Sequence, residues 1–298
     1  MRHSQYLLRG ALCLAMFAGV VSAQSIAALS GSQGTSTSVQ IYTANLSLRT
    51  PISLQTTISG VPAGAFQILA TPNGLKYYIL SPQGVTLFSS SSRVPVQIAT
   101  AIQGAPSKAW LTPDGGKLVV LAGSSATTQS VYVIDATTDA LLNPYPLSIS
   151  GAMDIAMGID SQNMYVLTKG TSAASVIPVT LTPTLTAGTA INIATTGATG
   201  IIMAPNGLLY VSGTNSVFEI SPVTLQVTAG ASAASPATIP VNGTPGPLAP
   251  TYDGNYAFAV NTNGSGAVYF VFNLNDRTVN LSQSANLGGA VLDKVFVG

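Results

Sequence analysis

The stretch Pro205-Asn206-Gly207-Leu208-Leu209-Tyr210-Val211-Ser212-Gly213-Thr214-Asn215-Ser216-Val217-Phe218-Glu219-Ile220 reads as a tight turn, an apolar strand, a small polar loop and a second apolar strand. Proline presets φ, asparagine tolerates the left-handed region and bonds its own backbone, and glycine accepts φ > 0, so the opening tripeptide is a hairpin turn. The same grammar recurs along the chain. Pro72-Asn73-Gly74 precedes Lys76 to Leu80, and Pro113-Asp114-Gly115 precedes Lys117 to Leu121. Asp160-Ser161 precedes Met164 to Leu167, and Tyr252-Asp253-Gly254 precedes Tyr256 to Val260. Successive Asn or Asp residues of these turns lie 41, 46, 46 and 47 residues apart.

A period of that length is the size of one propeller blade. Downstream of each turn a third strand follows: Val85 to Phe88, Val131 to Ile134, Val176 to Val179, Val217 to Ile220 and Val268 to Val271. A turn rich in Thr, Asn or Pro then leads to a fourth strand. Four short strands per period, with no 3.6-residue pattern after the first 23 residues, indicate an all-β chain folded as a β-propeller of four-stranded blades; a sandwich fits less well. A β-solenoid would use shorter repeats.

The ends carry complementary strand phases. Ser25 to Tyr42 aligns without a gap onto Lys117 to Ile134, so the N-terminal segment enters the repeat at a second strand. Gly289 to Val297 aligns onto Gly104 to Thr112, a first strand. The expectation is six blades, one of them completed by one C-terminal and three N-terminal strands, which removes exposed sheet edges. The count becomes seven if the chain is a fragment.

The segments Pro205 to Ile220, Pro113 to Leu121 and Ser130 to Thr138 together resemble YVTN-type β-propeller repeats, and the likeness covers nearly all of the chain after residue 23. That resemblance implies a propeller of a secreted or surface protein, in a family whose members often carry seven blades. It implies no activity, because the motif residues build turns and strands.

The first residues read as a secretory leader. Arg2 and Arg9 give a charged start, Ala11 to Val21 an apolar run, and Val21-Ser22-Ala23 a small-residue cleavage pattern. Residues 1–23 are therefore expected to be a signal peptide and 24–298 the propeller domain, in an extracytoplasmic location. The apolar run is shorter than the roughly 20 residues that span a bilayer, and no later segment qualifies. Cleavage would remove Cys13 and His3, the single cysteine and histidine of the chain. Without them no disulfide framework forms, and the common thiol, imidazole and zinc chemistries lose their residues. Only 6% of residues are charged, too few for a basic nucleic-acid surface.

The remaining candidates for chemistry are sparse. Glu219, the sole glutamate, sits between core residues Phe218 and Ile220 and reads as structural. Asp114, Asp253, Asp135, Asp139 and Asp276 fall at turns, where backbone geometry explains them. Tyr77, Tyr78, Tyr132, Tyr165, Tyr210, Tyr256 and Tyr269 fall at repeated strand positions and read as packing, as does Trp110. No carboxylate loop of calcium-binding spacing occurs, and no cofactor is expected. One column departs from neutrality: aligned first strands place Gln67, Lys108, Asp154, Gly200, Pro247 and Asp293 at one level, where they would line the central channel. Gln67, Lys108, Asp154 and Asp293 are the candidate ligand-binding residues, against the blander reading of a hydrated channel. The expected function is a monomeric, non-catalytic scaffold or binding module for a protein or glycan partner. The alternative is a lactonase-like or hydrolytic propeller using channel-mouth carboxylates.

Overall fold

Strand after strand carries an unbroken apolar run such as Tyr77-Tyr78-Ile79-Leu80, and the computed structural model shows why. It describes residues 24–30, 38–44, 53–125, 128–143, 146–170, 173–195, 197–228, 238–240, 245–260 and 268–284. Among these residues every regular element is a β-strand. The N-terminal sheet holds β1 (Gln24–Ser30), β2 (Ser38–Ala44) and β3 (Ser53–Ser59). The next holds β4 (Gln67–Ala70), β5 (Lys76–Ser81), β6 (Gly84–Ser89) and β7 (Val96–Ile98), and a third holds β8 (Ala105–Leu111), β9 (Lys117–Ser125), β10 (Thr128–Asp135) and β11 (Leu147–Ser150).

A fourth sheet holds β12 (Ala152–Met157), β13 (Asn163–Lys169) and β14 (Ala174–Thr180), with two short strands, β15 (Thr186–Ala187) and β16 (Ile191–Ile193), both paired to β14. A fifth repeats that plan with β17 (Gly200–Met203), β18 (Leu209–Gly213) and β19 (Ser216–Ser221), plus β20 (Gln226–Val227) and β21 (Thr238–Pro240) on β19. The last holds β22 (Ala249–Pro250), β23 (Tyr256–Val260), β24 (Val268–Asn273) and β25 (Thr278–Ser284). In the fourth and fifth sheets the outer strand is broken into two pieces along one edge, so the four-stranded plan holds. The chain is all-β, a β-propeller of repeated antiparallel meander blades. The β1-β2-β3 sheet contains the three strands that the N-terminal segment is expected to contribute. Residues 290–297, expected to supply its first strand, lie outside the described residues.

The chain divides into two compact units, Met1–Ser124 with Val131–Pro146 and Ser125–Ser130 with Leu147–Gly298. In the first, Tyr77 and Ile79 pack with Val39, Ile58 and Ile68, whereas Tyr78 and Leu80 pack with Ala109, Leu118 and Val120. In the second, Leu209 and Val211 pack with Tyr165 and Leu167, whereas Tyr210 packs with Ala257 and Phe270. Alternate residues of one strand thus enter two cores, which is why a period-2 element reads as a continuous apolar run.

The recurring turn is held by its own side chains. Asn73 Oδ1 accepts from Thr71 Oγ1 at 2.7 Å and from Leu75 N at 3.0 Å. Asp114 does the same with Thr112 Oγ1 (2.6 Å) and Gly116 N (2.9 Å). Gly74, Gly115, Gly207 and Gly254 take φ between 67° and 81°, and Ser161 takes 57° in the one turn that lacks the glycine.

The turn between third and fourth strands has its own rule. Asp135 Oδ1 accepts from Thr137 N (2.7 Å) and Thr138 N (3.1 Å), and Asn273 Oδ1 from Asn275 N (3.0 Å) and Asp276 N (3.2 Å). Four residues on, Arg93, Asp139, Leu225 and Arg277 all sit in the left-handed region, at φ of 53° to 59°.

Candidate functional site

The innermost strands carry the column of polar residues singled out in the sequence. Gln67 opens β4, and its carboxamide grips one residue of the next blade: Nε2 donates to Ala109 O at 2.8 Å and Oε1 accepts from Ala109 N at 2.9 Å. Lys108 precedes that residue in β8 and is half-buried. In the second unit Asp154, on β12, is 7% exposed, and its Oδ2 accepts from Ile201 N of β17 at 3.2 Å. Both bonds run from the column position of one blade to the backbone one residue past the column position of the next.

The neighbours of Asp154 explain two further members of the column. A Cβ added at Gly200 would stand 3.1 Å from Asp154 Oδ2 and 3.0 Å from Pro247 Cβ. Glycine therefore lets the carboxylate approach the β17 backbone. Register shifts lie immediately before Lys108 and Asp154, at Pro106/Lys108 and Ala152/Asp154, so a bulge re-aims the column residue in both strands. Asp293 lies outside the described residues. The structure thus joins Gln67 to the strand bearing Lys108, and Asp154 to Gly200 and Pro247.

Two further groups of ionisable residues form inter-blade ties whose partners the sequence reading missed. Glu219 is 1% exposed. It receives Arg277 Nη2 at 2.8 Å and Nε at 3.1 Å, Thr228 Oγ1 at 2.6 Å and Tyr210 Oη at 3.2 Å. Burial pushes its carboxyl upward, but the guanidinium and the Thr228 hydroxyl outweigh it and hold the group below the ordinary glutamate value. The Tyr210 phenol is pushed up to about 12, chiefly by burial and further by the Glu219 charge.

The first unit holds the charge-swapped counterpart. Tyr78 occupies the strand position of Tyr210, and Asp139 the left-handed turn position of Arg277. Asp139 accepts from Tyr78 Oη at 3.0 Å and from Lys76 Nζ at 2.8 Å. Lys76 Nζ also donates to Ala136 O (2.7 Å) and Thr137 O (3.2 Å), which uses all three of its protons. A cleft of about 390 Å³ beside it is lined by Asn73, Asp114, Gly115 and Thr137 among others, and its ammonium has no proton to offer a ligand.

Five of the seven repeated tyrosines, namely Tyr77, Tyr78, Tyr132, Tyr165 and Tyr210, are buried as packing residues. Tyr256 departs at 38% exposed, and the Tyr269 side chain is outside the described set. Tyr252, in the turn before β23, is 87% exposed. Beside it runs a side-chain ladder in which Asn275 Nδ2 donates to Asn255 Oδ1 (2.7 Å) and Asn255 Nδ2 donates to Asp253 Oδ2 (2.7 Å). The sequence signal was available: Tyr252 stands where three other turns carry Pro72, Pro113 and Pro205.

No family model and no curated protein matches the chain. Among solved structures it is similar to hydrazine synthase of Kuenenia stuttgartiensis, with 14% identity, 80% of this chain and 74% of that chain covered, and a TM-score of 0.59. It is also similar to a functionally unknown protein from Desulfotomaculum acetoxidans, with 14% identity, 86% and 78% coverage, and a TM-score of 0.66. At that identity the likeness shows the fold alone, and the fold on which both agree is the one built above from turns and strands.

Proposed function

We propose that this chain is a non-catalytic binding module of the YVTN-repeat type, exported through residues 1–23 and offering the turn ends of rigid blades to a glycan or protein partner. The observation that carries the reading is where the polar groups go. Gln67 and Asp154 bond the backbone of the neighbouring blade, and Glu219 is closed against Arg277, Thr228 and Tyr210. Asp114, Asp135, Asp160 and Asp253 accept backbone N–H groups of their own turns. A hydrolytic site needs an acid or base free to exchange a proton with substrate, in reach of the reacting atom. Groups held in this way serve position instead, while loops on a rigid scaffold are where recognition is placed.

The test is a paired assay on residues 24–298. One arm measures saturable binding to oligosaccharides, and the other measures hydrolysis of lactones and p-nitrophenyl esters. Binding without turnover is the expected outcome. Turnover that is abolished in Asp154→Asn would establish the hydrolytic alternative.

A further inference from the structure

We infer that the turn end of the β22–β25 blade is a carbohydrate-binding site, with Tyr252 as the stacking platform and Asn255, Asn275 and Asp253 as the hydrogen-bonding edge. The inference rests on the binding-module reading and gives it a place and a ligand class.

Pro72, Pro113 and Pro205 preset φ at the second position of the turn, and Tyr252 replaces them at a cost in turn preorganisation. The turn itself is intact: Gly254 N still donates to Thr251 O at 3.0 Å, and Asp253 Oδ1 still accepts from Asn255 N at 3.0 Å. The ring therefore contributes nothing to the turn that proline does not, and with 87% of the residue exposed it packs little against the protein. The Asp160 turn also departs from proline, with Ile159 65% exposed, but of the five turns only that of Tyr252 places an aromatic face there.

What surrounds the ring selects the ligand. In two other blades the 1–2 and 3–4 turns are tied by backbone, as in Ala136 N to Gly116 O (2.9 Å) and Ser90 N to Leu75 O (2.9 Å), and in the β12–β16 blade the bonds from Thr180 Oγ1 to Asn163 Oδ1 (3.2 Å) and from Asn163 Nδ2 to Asp160 Oδ2 (2.6 Å) overlie Leu181 N to Gln162 O (2.7 Å). In the β22–β25 blade the equivalent bond, Leu274 N to Asn255 O at 2.8 Å, is overlaid by the Asn275–Asn255–Asp253 ladder. The ladder fixes the planes of two carboxamides and a carboxylate. Asn275 is exposed, and its Oδ1 has no partner among the described residues; one Nδ2 proton on each amide is likewise unspent. Oriented amide donors and acceptors next to a flat apolar face match a sugar ring, which offers adjacent hydroxyls on its edge and C–H groups on its face. A protein partner needs a wider patch, with about 800 Å² per side and an apolar centre. Among the described residues the exposed aromatic groups of this turn are Tyr252 and the 38%-exposed Tyr256, next in sequence to Asp253 and Asn255. The cation of the adjoining 3–4 turn, Arg277, is already paired with Glu219.

The experiment titrates residues 24–298 with cellohexaose, chitohexaose and maltohexaose by calorimetry, alongside Tyr252→Pro, Asn275→Ala and Val223→Ala. Tyr252→Pro restores the residue that three sibling turns use, so its melting temperature should match that of the parent. The expected result is saturable binding of at least one oligosaccharide, weakened about tenfold or more in Tyr252→Pro, as loss of an aromatic anchor does. Asn275→Ala should weaken binding by less, and Val223→Ala, an 89%-exposed residue on another blade, should leave it unchanged. Equal binding by Tyr252→Pro overturns the site but leaves the module reading standing. Absence of binding to all three sugars overturns the proposal, and turnover of a sugar by the parent overturns the non-catalytic reading itself.

Discussion

Glu219 shows at the scale of one residue how a charge is kept inside a chain that has few. Its place between Phe218 and Ile220 reads as structural, and in the structure it is 1% exposed. The partner was not legible, because Arg277 lies 58 residues away on a turn whose left-handed residue is Arg, Asp or Leu from blade to blade. Removing that partner leaves a buried carboxylate with only hydroxyl donors. Arg277→Ala should cost about 2–3 kcal/mol, less than the ~3–5 of a fully enclosed pair because the arginine side chain is 41% exposed. Because the folded-state pKa of Glu219 is depressed, its contribution is present above the unfolded value of about 4.3 and lost as pH falls through the folded one. Melting curves from pH 3 to 7 should show Glu219→Gln well below the parent at pH 7, with the gap closing in acid. A gap that stays constant would mean that the carboxylate charge contributes nothing.

At the scale of the element, turns were the legible part. Pro-Asx-Gly states its own geometry, since the Asx side chain and the glycine φ are local facts, and they appear in the structure as read. The innermost-strand column was legible as an alignment but not as a set of bonds. Gln67 reaches Ala109 and Asp154 reaches Ile201 through backbone atoms 42 and 47 residues away, and backbone atoms leave no mark in a sequence. The N-terminal sheet raises an element-scale expectation of its own. Among the described residues β1 pairs only with β2, along its full length from Gln24 to Ser30, and its other side is a seven-residue edge. Strand phase assigns that edge to residues 290–297. Deleting residues 290–298 should lower the melting temperature by several degrees and promote aggregation through the open edge. An unchanged melt would show that the strand is dispensable and that six-blade closure is the wrong expectation.

At the scale of the whole chain, the groups that hold the blades are distinct from those proposed to meet a ligand. Inner-strand polar residues and the Glu219 and Asp139 ties serve packing, and recognition is assigned to the turn end of the last blade. The sequence could be read for the first half because blades repeat and repetition averages out noise. It hid the second half because a binding residue is a single departure from the repeat, visible at Tyr252 only once the turn's structural needs are known. The direct test is a crossed comparison of Gln67→Ala/Asp154→Ala with Tyr252→Pro, measuring the thermal melt and oligosaccharide affinity of both. The account predicts that the inner-strand double variant melts several degrees lower and binds sugar as the parent does, while Tyr252→Pro melts as the parent does and loses binding. The reverse pattern, with affinity lost in the double variant at an unchanged melt and retained in Tyr252→Pro, would contradict it and return the ligand to the channel column.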